Sequence, residues 1–333
     1  YSDYHSVATN TFGDSADPRY SAEEILKLVA HQELRSLCWT SYDDNVPFQH
    51  IMTPLLVQNI MASLEYLKLF SPSSSLHHLN TAPSSSISGL GFSMNIHLPS
   101  LCALKVSLDN DALAGLAAWN MPNLTTLSVL SLDFSHTREG FSAFLRSHGC
   151  SLTQLELSHT SSIVDNYYLT TPRHRLQSLQ DQQQPVPIAK WCPNLCVFIC
   201  AADAEWYWRY PDWIPPHTLL ASHPKIQFVG IRDFSTQLTC GRLSPLLYST
   251  NTSIFGEDEP ADTTYQLLCE QIRLLLHPGS FPNLRLIRDL SFVNHHVFAA
   301  KPSHHVSQLW AKVRNECERS GVSFEVGRGI SIT

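Results

Sequence analysis

Histidine, cysteine and arginine are the residues whose spacing in this chain invites a chemical reading. Seventeen histidines include the doublets His77-His78, His295-His296 and His304-His305. Two imidazoles grip one zinc ion when they stand four apart on a helix, with a glutamate between them to polarise water. None of the doublets has that spacing, and all three fall in stretches read as loops, so no metal is expected. Cys192, Cys196 and Cys200 are each separated by three residues. On a strand Cys196 and Cys200 would share a face about 13 Å apart, too far for one tetrahedral zinc, which predicts core thiols. No Gly-x-Ser-x-Gly turn, Gly-rich phosphate loop or dinucleotide fingerprint occurs, and Gly327-Arg328-Gly329 has no helix after it to receive a phosphate. The chain is therefore read as a non-enzyme with no cofactor; an α/β enzyme with an illegible active site is the alternative.

Binding chemistry has better candidates. Trp206, Tyr207, Trp208, Tyr210 and Trp213 form the most aromatic stretch of the chain. Trp and Tyr are enriched at binding hot spots, although the same rings can equally pack as a small core beneath a loop. Arg232 and Arg288 stand at matching places in two late apolar runs and suit an acidic or phosphorylated partner. Asp233, Asp289 and loop carboxylates are the competing partners for them. Asn123-Leu124-Thr125 and Asn251-Thr252-Ser253 match the glycosylation pattern, but Leu124 belongs to a core run, so the match is read as coincidence.

These residues need elements to position them, and the chain supplies one phrase repeatedly. Met121-Pro122-Asn123-Leu124 opens a run with Leu127 three residues on and Val129 five residues on. The phrase returns at Leu98-Pro99-Ser100-Leu101, Cys192-Pro193-Asn194-Leu195, His223-Pro224-Lys225-Ile226 and Phe281-Pro282-Asn283-Leu284. Leu34/Leu37/Trp39, Leu64/Leu67/Leu69 and Leu152/Leu155/Leu157 keep the apolar spacing without the proline. Proline disfavours helix in the residue before it, so it should separate helix from strand. Strand side chains alternate, which places the third and fifth positions on one core-facing side.

A helix precedes most copies. Predicted helices cover a capping box at Ser21 and Glu24, the stretch from Thr53, Ala112–Trp119, Arg138–His148 with Gly149 as a left-handed stop, a turn at Pro187–Trp191, a helix capped by Asp262, and Val306–Cys317 stopped by Gly321. One strand and one helix cannot bury an apolar face alone, whereas stacked copies can. The predicted fold is α/β: an irregular leucine-rich-repeat solenoid with parallel strands on the concave face and helices outside. The first leucines of three successive copies, at 101, 124 and 152, fall within or near the usual period of such repeats. Asp109, Leu132, Thr160 and Asp203 occupy the places where an asparagine ladder is expected, so that ladder is absent. An ordinary doubly wound α/β domain is the competing fold.

Composition sets the limits. The chain has 333 residues, 43% of them hydrophobic, enough to bury a sizeable core. Net charge is −7, which argues against nucleic acid or an anionic membrane as a partner. No long apolar run predicts a membrane span. Nine cysteines, an odd number mostly within apolar runs, read as reduced thiols of a cytoplasmic or nuclear protein. Residues 1–20 read as a flexible N-terminal segment. Residues 21–333 read as one repeat domain with loop insertions near 71–96, 160–187 and 235–262, the last holding the acidic cluster Glu257-Asp258-Glu259.

The layout resembles fungal F-box-type leucine-rich-repeat proteins of mushroom-forming fungi, over roughly residues 30–330. The recurring x-Pro-Asn-Leu phrases carry the resemblance, with Phe144-Leu145, His148–Leu155, His223-Pro224, Val229–Asp233 and the Trp310 stretch running to Glu325. It implies the substrate-recognition arm of a ubiquitin-ligase receptor, whose repeats bind a protein substrate on the concave face; a repeat scaffold unrelated to ubiquitin is the other alternative. Residues 1–50 show one clear helix rather than the F-box bundle, so a cullin adaptor is implied as partner only if an F-box precedes Tyr1. The expected partner-binding residues are Tyr66, Lys68, Lys105, Glu156, Trp206, Trp208, Arg232 and Arg288.

Overall fold

The structure, a computed structural model, describes residues 34–40, 62–70, 96–107, 110–130, 139–158, 187–202, 220, 222–232, 234, 260–291 and 304–326. The N-terminal segment 1–20, the first two predicted helices, the aromatic run and nearly all of the three insertions lie outside these residues.

Nine strands form one open, all-parallel sheet: β1 (Ser36–Thr40), β2 (Tyr66–Phe70), β3 (Ala103–Ser107), β4 (Thr126–Leu130), β5 (Gln154–Ser158), β6 (Val197–Ala201), β7 (Phe228–Arg232), β8 (Leu286–Asp289) and β9 (Ser323–Val326). Their order in the sheet is their order in the chain. Five helices are described: α1 (Asn110–Leu116), α2 (Glu139–His148), α3 (Ile188–Trp191), α4 (Pro260–Leu275) and α5 (His304–Arg319). Among the described residues no helix is long and apolar enough to cross a membrane.

The repeated phrase builds a corner and then a strand. The leucine N–H bonds back to the carbonyl three residues earlier: Leu101 to Leu98, Leu124 to Met121, Leu195 to Cys192 and Leu284 to Phe281. That closes a β-turn with proline at its second place, where its fixed φ is preorganised. Each strand therefore begins two residues after the leucine that closes its turn, later than the apolar pattern alone suggests. The residue between turn and strand and the first residue of the strand share one acceptor on the preceding strand's side. The N–H groups of Thr125 and Thr126 both donate to Cys102 O, those of Thr153 and Gln154 to Thr125 O, and those of Cys196 and Val197 to Thr153 O. The same forked bond recurs from β2 to β8 and locks one register along the sheet.

Alternation then divides the sheet. Leu37, Leu67, Leu104, Leu127, Leu155, Phe198, Val229, Ile287 and Phe324 align across the nine strands in one row. With the row two residues further on, Asp289 excepted, they pack into a single apolar core together with Leu113, Leu116, Phe141, Phe144, Leu268, Ile272, Leu309 and Val313 of the helices. The helices thus cover one face of the sheet, and no described helix contributes to the core from the other.

Four local expectations are corrected. Gly149 is not a left-handed helix stop; it opens a 3-10 turn, Gly149–Ser151. A side chain is excluded there because a Cβ would stand 2.6 Å from Trp191 O and 2.8 Å from Cys192 Sγ. His304 and His305 begin α5 rather than lying in a loop. Helix α4 begins at Pro260, two residues before the expected Asp262 cap, as suits a residue with no N–H to satisfy. Cys38, Cys102 and Cys150 are exposed and Cys196 is half-exposed, because they fall on corner or outward positions; Cys192, Cys200, Cys269 and Cys317 are buried. Gly321 does stop α5, with φ 71°. Val322 N donates to Cys317 O and Gly321 N to Glu318 O, the paired bonds of a Schellman cap.

Candidate functional site

The face away from the helices is built from the remaining rows. Its first row reads Ser36, Tyr66, Ala103, Thr126, Gln154, Val197, Phe228, Leu286 and Ser323 across the nine strands. The next reads Cys38, Lys68, Lys105, Ser128, Glu156, Ile199, Gly230, Arg288 and Glu325. Arg232 lies one row beyond, on β7. Six of the eight residues expected to bind a partner, Tyr66, Lys68, Lys105, Glu156, Arg232 and Arg288, are therefore on this one face. Trp206 and Trp208 lie outside the described residues.

Glu156 is the centre of the face. Its side chain is only 4% exposed. Arg232 Nε donates to Oε1 at 2.6 Å and Ser128 Oγ donates to Oε2 at 2.7 Å. Burial pushes the carboxyl pKa up. The Arg232 charge, the two hydrogen bonds and the Lys105 charge outweigh that and hold it below its ordinary value of 4.5. Glu156 is on β5 and Arg232 on β7, so the pair bridges over β6.

Arg288 makes a second pair. Its Nε donates to Glu325 Oε2 at 2.8 Å, and its guanidinium lies 5.6 Å from the Phe228 ring centroid, within cation–π range. Of the aspartates named as competing partners, Asp233 lies outside the described residues, and Asp289 accepts from the N–H and hydroxyl of Ser291. The two guanidiniums are thus neutralised by carboxylates of this chain.

Lys68 and Lys105 are neighbours in one row, on β2 and β3. Burial, with help from Arg232 and Lys68, lowers the Lys105 pKa against the pull of Glu156. Burial also raises the Tyr66 phenol, with smaller contributions from Cys38 and Glu156.

The sequence reading missed two features. First, a ladder does tie the repeats, but at the corner. Asn123 Nδ2 donates to Pro99 O, Asn194 Nδ2 to Cys150 O, Asn283 Nδ2 to Pro224 O, and Ser100 Oγ to Ala62 O. The recurring Asn after proline was the available signal. Second, His223 at the start of its corner is buried. Its Nδ1 accepts from Lys225 N at 3.2 Å, so the neutral ring presents Nε2–H to Cys192 O at 3.0 Å. Burial holds its pKa below 6.5, as it does for His148 on α2.

Among the described residues no group of three His, Cys, Asp or Glu side chains could hold a metal ion. No family model, curated protein or solved structure matches the chain.

Proposed function

We propose that the chain is a protein-interaction module whose helix-free sheet face is the concave wall of an irregular leucine-rich-repeat solenoid. One observation carries the reading: the charged and aromatic strand residues Tyr66, Lys68, Lys105, Glu156, Phe228, Arg232, Arg288 and Glu325 share that face, while the row from Leu37 to Phe324 that feeds the main apolar core faces the helices. Strictly sequential parallel strands, forked corner bonds and the corner ladder support the solenoid form. In this reading the face is the substrate-recognition arm of an F-box-type ubiquitin-ligase receptor, acting in the cytoplasm or nucleus.

Two measurements test it. The full-length protein, co-purified with a recombinant cullin adaptor, should form a stoichiometric complex. Proteins cross-linked to it in cells should be lost when Tyr66→Ala and Arg288→Glu are combined. Failure to bind the adaptor removes the ubiquitin context. Unchanged cross-linking by the double variant, with its circular dichroism intact, removes the face.

A further inference from the structure

We propose that the Lys68–Lys105 end of this face receives an acidic protein segment, one carrying two carboxylates. The inference rests on the reading of the face as a partner surface. Among the described residues, neither ammonium is within ion-pair distance of a carboxylate, whereas the two arginines of the same face, Arg232 and Arg288, each have one. Glu156, the nearest carboxylate in the row, is already held by Arg232 and Ser128. Two like charges on adjacent strands repel, and half-burial of Lys105 removes the water that would screen them. An incoming anion relieves both costs.

The shape agrees with the charge. Ala103, Thr126 and Ser128 on β3 and β4 are small, while Tyr66 and Lys68 flank them on β2 and Gln154 and Glu156 on β5. Lys105 stands between these flanks. Neighbouring strands are about 4.8 Å apart, and alternate residues of an extended segment about 6–7 Å apart, so two carboxylates of one segment can reach the two lysines. The whole chain carries a net charge of −7, so a polyanion has no general reason to adhere to it. Binding would have to be local.

The test uses the whole chain with a fluorescein-labelled hexaglutamate peptide, read by anisotropy at low and high salt. Saturable binding that weakens as salt rises is expected. Lys68→Ala combined with Lys105→Ala should weaken it at least about tenfold, and Lys68→Arg with Lys105→Arg should keep it within about threefold. Carbodiimide coupling should join the peptide to Lys68 and Lys105. Absence of saturable binding, equal binding by the alanine variant, or coupling confined to other lysines overturns the proposal. So does binding of a phosphoserine peptide where hexaglutamate fails. Partner cross-linking that depends on Tyr66 and Arg288 but ignores both lysines would sink this subsite alone and leave the receptor reading standing.

Discussion

Among the described residues two ion pairs lie on the helix-free face, and they differ in reach and in burial. Glu156–Arg232 spans from β5 to β7 across β6, with a carboxylate 4% exposed and a guanidinium 38% exposed. Arg288–Glu325 joins adjacent strands at the end of the sheet, at 33% and 51% exposure. The first removes a charge from water and must compensate it fully; the second stays hydrated and is screened by salt. The difference teaches which part of the face is built for shape. Around the long pair lie Ile199, Ala201 and Gly230, all buried, so the middle strands are consolidated. The short pair sits where its side chains stay partly exposed to water.

The sharpest break of this contrast is Arg232→Ala. It leaves Glu156 buried with its charge uncompensated, which should cost about 2–4 kcal/mol, the lower end reflecting the partial exposure of Arg232. Urea unfolding at neutral pH would measure it, and a loss under about 1 kcal/mol would show that the two pairs are equivalent. Next comes Gly230→Val. A Cβ at Gly230 would lie 2.4 Å from Leu290 Cδ1 and 3.3 Å from Ile199 Cγ1. Overpacking there should cost about 1–3 kcal/mol, and adding Leu290→Ala should recover part of it.

A pH series sharpens the comparison further. Glu156 has a folded pKa below its ordinary value of 4.5, so its contribution is complete above 4.5 and is lost as pH falls through the folded value. His148 and His223 have folded pKa values below 6.5, so stability also falls as pH drops from 6.5 towards those values. Urea midpoints should therefore decline in two steps. Glu156→Gln should remove the lower step only; a lower step that persists in this variant assigns it to other carboxylates. Asn283→Ala, which deletes one rung of the corner ladder, should cost about 1 kcal/mol without moving the pH profile. Smallest is Arg288→Ala, under about 1 kcal/mol by urea, yet it should weaken partner cross-linking more than Asn283→Ala does.

What was legible in the sequence was what alternation and spacing govern. The rows of the sheet follow from a period of two, so Tyr66, Lys68, Lys105, Glu156, Arg232 and Arg288 were assigned to the correct face. Their pairing was not legible. Glu156 and Arg232 are 76 residues apart, and Arg288 and Glu325 are 37 apart. No local rule joins such partners; only the register of β5 against β7, and of β8 against β9, does. The need for glycine at 149 is hidden for a similar reason, since its constraint is the backbone at Trp191 rather than its own φ. The corner ladder departs from the usual repeat pattern, in which the asparagine follows the strand; here it precedes the strand, in the turn.

The sequential order of the sheet also has a mechanical meaning. Every described strand bonds only to those before and after it in the chain, and the two outer strands, β1 and β9, are the first and last. Tension drawn between the chain's two ends would enter the sheet only at those outer strands. It would open them one row of bonds at a time, like a zip, rather than shear all nine together. Length would be released in instalments, each the size of one connection, with the long stretch between Arg232 and Leu286 giving the largest.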